Sequence, residues 1–206
     1  MKKNFWYKKN VLITGINGFI GSNLCKQLLI LGANVTGLIR NKNQKTLLFL
    51  EKLNKKIVIV NGSLDDKNII KRIFSEQNIE ICFHLAAQVE VGVARNYPYL
   101  TWESNVKGTY NFLEAAKEQG KNIKSIIIAS SDKAYGHYPK SKMPYKEHYE
   151  LKAKFPYDVS KACADLIAQS YTSDLYKLPI AITRFSNIYG PGQMNFSALI
   201  PDCIRS

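Results

Sequence analysis

At 206 residues, 46% hydrophobic and 22% charged, the chain is long enough to bury one proper core and reads as globular, not fibrous or disordered. Its formal charge of +13 invites a nucleic-acid partner, but the lysines are spread along helical faces such as KNQKTLLFLEKLNKK. Without an arginine-rich tract or an aromatic-studded basic ribbon, the charge reads as solvated surface that also attracts anionic substrates.

No run of about 18 apolar residues occurs, and no apolar signal segment follows MKKNFWYKKN, so a cytoplasmic protein with no membrane and no nucleic-acid partner is expected. Cys25, Cys82, Cys163 and Cys203 are widely spaced and form no CxxC pair. They read as buried thiols, neither a disulfide framework nor a zinc site, and no metal is expected.

The first strand-like run, NVLITG, leads into a helical pattern from about Gly18 to Leu31. ANVTGLIR then precedes a helix from about Lys45, KIVIVNG one from about Asp66, and IEICFHLAA a long one. SIIIASS follows, then a polar connection of roughly 25 residues, of a length that generally carries function. The helix PYDVSKACADLIAQSYTSDLY and the strand LPIAITRFSN complete the order. Short, continuously apolar strands alternating with helices predict an α/β fold: a Rossmann-type doubly wound parallel sheet covered on both faces.

In NVLITGINGFIGSNLCKQLL, three glycines stand after a strand and open a helix. Gly15 permits the tight turn, Gly18 lets backbone approach a pyrophosphate, and Gly21 lets the helix pack closely on the strand. Dinucleotide binding is the expectation. The end of the second strand, where a carboxylate would hold the adenosine ribose, carries Ile39 and Arg40. A guanidinium there suits a 2′-phosphate, which favours NADP over NAD.

Two further clusters carry chemistry. SSDKAYG places Ser131, Asp132 and Lys133 in succession at a strand end, and PYDVSK places Tyr157 and Lys161 four residues apart, on one face of a helix. A cation beside the phenol would stabilise phenolate and lower its pKa, making Tyr157 a proton acceptor. His84 reads as a hydrogen-bonded structural residue, not a catalyst.

With TGINGFIG, FHLAAQ, NVKGTYNFLEAA, the Tyr157/Lys161 pair and TRFSNIYGPG in this order, the chain resembles the extended short-chain dehydrogenase/reductase family, specifically its NAD(P)-dependent sugar-nucleotide epimerases and dehydratases. FWYKKNVLITG, SDKAYG and PYDVSKACADL are similar to segments of CDP-glucose 4,6-dehydratases. GDP-sugar dehydratases, acting on GDP-mannose or GDP-N-acetylglucosamine, are close competitors, and the nucleobase stays open.

The resemblance implies an internal redox cycle on a nucleotide-diphosphate hexose, yielding a 4-keto-6-deoxyhexose nucleotide. Tyr157 would take the C4 hydroxyl proton as hydride leaves C4, with Ser131 on the same hydroxyl and Lys161 on the nicotinamide ribose. Water would then be lost across C5 and C6, and hydride returned to C6. Asp132 would give its proton to the C6 oxygen and Lys133 would take the C5 proton. Many relatives carry Glu at the latter place, so the lysine must be neutral, and Lys161, the nicotinamide and burial are expected to depress its pKa.

The implied cofactor-binding set is Gly15, Asn17, Gly18, Phe19, Ile20, Gly21, Arg40, Ser63, Leu64, Leu85, Ala86, Ala87, Asn105, Tyr157 and Lys161. Gln88, Ser131, Asn187 and Leu199 are expected on the substrate. Residues 1–186 would form the cofactor-binding, catalytic domain and 187–206 the beginning of a C-terminal substrate lobe that relatives carry at greater length. A homodimer is expected through the helices bearing Asn105 and Tyr157. A sugar-nucleotide 4-epimerase and a non-catalytic dinucleotide-binding module remain as alternatives.

Overall fold

The computed structural model describes residues 4–196 and 198–206. Six parallel strands form one sheet: β1 (Asn10–Thr14), β2 (Asn34–Ile39), β3 (Val58–Asn61), β4 (Ile81–His84), β5 (Ser125–Ser131) and β6 (Ile180–Phe185). Their order is β3-β2-β1-β4-β5-β6, the doubly wound α/β arrangement that the sequence pattern predicts. The chain winds outward from β1 to β3, then crosses back to place β4 on the other side of β1, so the sheet has a switch point between these two strands.

Strand periodicity builds two cores from one apolar run. Val11, Leu12 and Ile13 are all fully buried, yet Leu12 joins a core with Cys82, Phe112, Ile126 and Ile128. Val11 and Ile13 join the opposite one with Cys25, Leu28 and Val35. Successive side chains leave a strand on opposite faces, so a central strand must be apolar at every position when helices cover both sides.

The helices that do so are α1 (Phe19–Ile30), α2 (Leu47–Leu50), α3 (Lys67–Glu76), α4 (Val91–Asn96), α5 (Pro98–Thr101), α6 (Gly108–Gln119) and α7 (Pro156–Thr172), with α8 (Leu199–Arg205) near the C-terminus. Asp66 caps α3, its carboxylate accepting from the amides of Asn68 and Ile69, which closes two of the donors that a helix start leaves unpaired.

Three elements differ from expectation. The helix from about Lys45 is only α2 plus a 3₁₀ turn at Leu53–Lys56, because Lys52 between them adopts a left-handed backbone, φ 55°. The long helix after β4 is broken at Pro98, which has no amide proton to continue α4, and a π-helical turn, Trp102–Lys107, joins α5 to α6. Of the four cysteines, Cys25 and Cys82 are buried as expected, but Cys163 is half-buried and Cys203 exposed. Cys203 lies on the outward helix α8, where the residues after Pro201 are exposed. Among the described residues no helix is long and apolar enough to cross a membrane.

The glycines tie α1 to the sheet. A Cβ on Gly21 would meet the carbonyl oxygen of Gly15 and stand 2.7 Å from the Ile16 Cα, so backbone rather than a movable side chain would have to give way. Gly21→Ala should therefore lower stability by about 1–3 kcal/mol, read as a fall in the urea midpoint with an unchanged denaturant slope.

Candidate active site

The carboxyl ends of the strands open on a cavity of about 580 Å³, at the switch point where doubly wound sheets bind ligands. Its first wall is made by the glycine turn. Gly15 sits at φ +70°, and a Cβ there would lie 2.8 Å from the Ala86 Cα and nitrogen. The turns after β1 and β4 are thus in backbone contact, and glycine is required on both conformational and steric grounds.

Gly18 is the N-cap of α1, with no side-chain cap and no acid in the first turn, so amides and the positive end of the helix dipole face the cavity without a competing carboxylate. Such an end suits a diphosphate. Gly15, Asn17, Gly18, Phe19, Ile20 and Gly21 all line the cavity, with Arg40, Ser63, Leu64, Leu85, Ala86 and Ala87. Asn17 donates to the Asn41 carbonyl at 3.1 Å and accepts from the Thr46 hydroxyl, which ties the loop after β2 to the glycine turn. Arg40 is exposed and takes no part in the ion pairs found among the described residues. A bare-backbone cradle leading to a free guanidinium fits a dinucleotide.

The opposite wall comes from β5, α7 and the segment after β6. Ser131 ends β5 and caps a 3₁₀ turn over Asp132–Tyr135, accepting from the Lys133 amide at 3.2 Å and donating to Asp132 Oδ1 at 3.2 Å. Tyr157 and Lys161, one turn apart on α7, line the same cavity as Ser131, Asp132, Lys133 and Asn187. Lys161 is 6% exposed, and its ammonium donates to the Ala129 carbonyl at 2.9 Å. Burial pulls its pKa down to about 8.

Two electrostatic expectations change. The Tyr157 phenol is pushed up, not down: burial leads, and Asp158 and Asp132 add to it, against the opposing effect of the Ser131 hydroxyl. Any lowering must come from a bound cationic ring. Lys133, expected to be buried, is exposed, because the turn that Ser131 caps projects it from the rim.

Three site residues lie elsewhere than predicted. Asn105 is 2% exposed and stands behind the cavity, where its carboxamide accepts from the Gln88 amide at 2.7 Å and donates to the Gln88 carbonyl and to Ser160 Oγ, both at 2.9 Å. Gln88 turns its side chain away, donating to the Glu90 carbonyl and accepting from Thr101. Leu199 begins α8, is 75% exposed and does not line the cavity. Lining residues that sequence reasoning missed include Asp65, Ser104, Ser130, Gln193 and Met194. The first acid of NGSLDD was a readable signal for Asp65; the others carry no local pattern.

The 3₁₀ turn after β5 is held from behind by Arg184 on β6. Its guanidinium donates through Nε and Nη2 to the two oxygens of the fully buried Asp165 at 2.8 and 3.0 Å, and through Nη1 to the Tyr135 hydroxyl at 2.9 Å and the Glu147 carbonyl at 2.8 Å. Burial pushes the Asp165 carboxyl up, but Arg184, Ser130 and Gln169 together hold it below the usual carboxylate range. One side chain therefore joins β6, α7, the 3₁₀ turn and the long connection.

A family model described as GDP-mannose 4,6 dehydratase matches residues 12–205. The CDP-glucose 4,6-dehydratase of Salmonella typhimurium is 33% identical over 99% of this chain and 59% of its own length. The human dTDP-D-glucose 4,6-dehydratase is 32% identical over 91% of this chain and 53% of its own. This chain thus spans about three fifths of the first of these relatives and about half of the second. Among solved structures, the dTDP-glucose 4,6-dehydratase of Streptomyces venezuelae with NAD bound superposes at a TM-score of 0.84, 29% identical over 95% of this chain and 61% of that one. The UDP-glucose 4-epimerase of Thermus thermophilus, a complex with NAD, gives 0.78 and 31% over 89% of this chain and 57% of that one.

Titration of Lys161 checks the electrostatics. Folding depresses its pKa, so between about 8 and the ordinary lysine value of 10.5 the unfolded chain binds the extra proton and this group adds stability as pH rises. NMR of lysine ammonium groups should show one resonance titrating near pH 8, missing in Lys161→Met.

Proposed function

Because the chain belongs to the GDP-mannose 4,6-dehydratase family, we propose that it contains the cofactor-binding and catalytic part, residues 1–186, of a nucleotide-sugar 4,6-dehydratase, with residues 187–206 opening a substrate lobe. The observation that carries this reading is the convergence of Ser131, Asp132, Lys133, Tyr157 and Lys161 on one cavity opposite the glycine cradle. An acid and an amine side by side beyond the tyrosine suit elimination of water, whereas a simple 4-epimerase has no use for the pair.

Each residue then has a task. A bound nicotinamide supplies the group that accepts hydride from C4 and later returns it to C6. Gly15, Gly18 and the start of α1 hold its diphosphate; Ser63, Leu64 and Leu85–Ala87 receive the rest along the sheet edge. Tyr157 takes the proton of the C4 hydroxyl while Ser131 hydrogen-bonds that oxygen, and the Lys161 ammonium, fixed on the Ala129 carbonyl, would bond the nicotinamide ribose. The resulting C4 carbonyl acidifies C5. Lys133 removes the C5 proton as Asp132 protonates the departing C6 hydroxyl, so water leaves with its atoms accounted for, and the Lys133 proton returns to C5.

NADP is the proposed cofactor, although the solved relatives named above carry NAD. Support comes from Arg40 at the end of β2, exposed and lining the cavity where a ribose-binding carboxylate would otherwise stand. A homodimer through α6 and α7 is also proposed, supported by the exposed Tyr110 and Leu166 on these helices.

Two measurements test the reading. Supplied with NADP or NAD and with CDP-, GDP-, dTDP- and UDP-hexoses, protein containing this chain should convert one of them to a 4-keto-6-deoxy product, and Lys133→Ala should abolish elimination. Recovery of a 4-epimer with its C6 hydroxyl intact would establish the epimerase reading instead, and normal product from Lys133→Ala would remove the lysine as base. In fluorescence titrations Arg40→Ala should weaken NADP binding by about tenfold, about 1.4 kcal/mol, and leave NAD nearly unchanged.

A further inference from the structure

A buried polar cluster behind the cavity has no task in the chemistry above. His84 ends β4, is 3% exposed and stacks on Phe112 with 4.6 Å between ring centroids. Its Nδ1 lies 3.0 Å from Thr14 Oγ1 and its Nε2 3.2 Å from Thr109 Oγ1. Each threonine has a single hydroxyl proton to give. Thr109 donates its proton to the Asn105 carbonyl at 2.6 Å, so its oxygen can only accept from His84, which places the ring proton on Nε2. Thr14 Oγ1 already accepts from the Ala86 amide at 3.2 Å, which leaves its proton for the bare Nδ1. The imidazole is a neutral, directed link.

The chain of bonds continues beyond it. Asn105 sits within the π-helical turn, a geometry that clusters at functional sites. Its carboxamide holds the backbone of Gln88 through two bonds and donates to Ser160 Oγ, and Ser160 donates to the Tyr157 carbonyl at 2.7 Å. We propose that His84 is a positioning residue: its Nε2–H tautomer links the cofactor turn at Thr14 and Ala86, through Thr109 and Asn105, to the helical turn that bears Tyr157. The proposal rests on the assignment of Tyr157 as the proton-transfer group. A protonated or flipped ring would present a donor to Thr14 and break the sequence of donors at its first step.

The surroundings keep the ring neutral. Burial, and secondarily the charge of Lys161 on α7, pull its pKa down to about 3, while Thr14 from β1 and Thr109 and Phe112 from α6 bring no charge. Between about 6.5 and 3 the unfolded chain takes up a proton that the folded one does not, so this group removes stability as pH falls through that window.

The experiment uses the chain without substrate. Nitrogen-15 NMR of its three histidines should show His84 as the Nε2–H tautomer, constant between about pH 8 and 5. An Nδ1–H tautomer or an imidazolium in that range overturns the proposal. Hydrogen exchange of the Asn105 carboxamide supplies the second readout. His84→Phe keeps the stack on Phe112 but removes both bonds, and exchange should be about tenfold faster. His84→Gln, which offers an oxygen to Thr14 and an amide to Thr109, should restore protection, as a loss of packing alone would not predict. Unchanged exchange in His84→Phe overturns the proposal. Should that variant not fold, Thr109→Val takes its place with the same expected acceleration and the same overturning result. Because neither readout needs turnover, failure of the dehydratase assay is distinguishable from failure of this link.

Discussion

The site depends first on the approach of two backbones, the turn after β1 and the turn after β4. Gly15 and Ala86 touch because no side chain separates them, and Gly21 lets α1 start directly over the same turn. That approach places the open amides of the helix at the sheet's switch point and brings β4 beside β1 in a register that pairs Thr14 with His84. A methyl group at either glycine would move the helix or the strand, and every group on the opposite wall is positioned relative to that strand. The constraint is steric, and so it acts identically whether or not a ligand is bound.

Buried charge holds the second wall. Asp165 is inaccessible to solvent and would be costly to bury alone; the two-pronged bond from Arg184 compensates it, and the guanidinium's remaining donors reach the Tyr135 hydroxyl and the Glu147 carbonyl. The 3₁₀ turn carrying Asp132 and Lys133 is thereby anchored to the sheet edge at β6. Tyr135 stacks on Tyr145 at 4.8 Å, and Tyr145 donates to the Gly136 carbonyl at 3.0 Å, so the long connection is ordered around the same anchor. Lys161 is the counterpart inside the cavity: its charge is retained at a cost that depresses its pKa, and a single carbonyl fixes its direction. Charged groups that are expensive to keep buried cluster where chemistry needs them.

Much of this was legible from residue order. Continuous apolar runs of strand length alternating with helical patterns imply a parallel sheet, since only burial on both faces tolerates them. The spacing of Gly15, Gly18 and Gly21 marks the cradle, because Gly15 must meet both a positive φ and a close approach, and Gly21 a close approach of backbone. The interval between Tyr157 and Lys161 places both on one helix face by helical geometry alone. In each case the information is local: a backbone conformation or a periodicity that neighbouring residues impose.

Side-chain direction and exposure were decided by tertiary structure. Gln88 looks like a ligand-binding residue at a strand end, yet Thr101 and the Glu90 carbonyl capture its amide. Asn105 reaches across to Ser160, 55 residues on, and Lys133 emerges into solvent although it follows a buried strand. The break of the helix after β4 was signalled by Pro98, but not the π turn that follows it. By itself the sequence determined the fold class, the glycine cradle and the helix face of Tyr157 and Lys161, because sterics and periodicity act between near neighbours. Only the folded chain decided which polar side chains enter the cavity and which stand behind it, because those choices belong to hydrogen-bond partners brought together from distant segments.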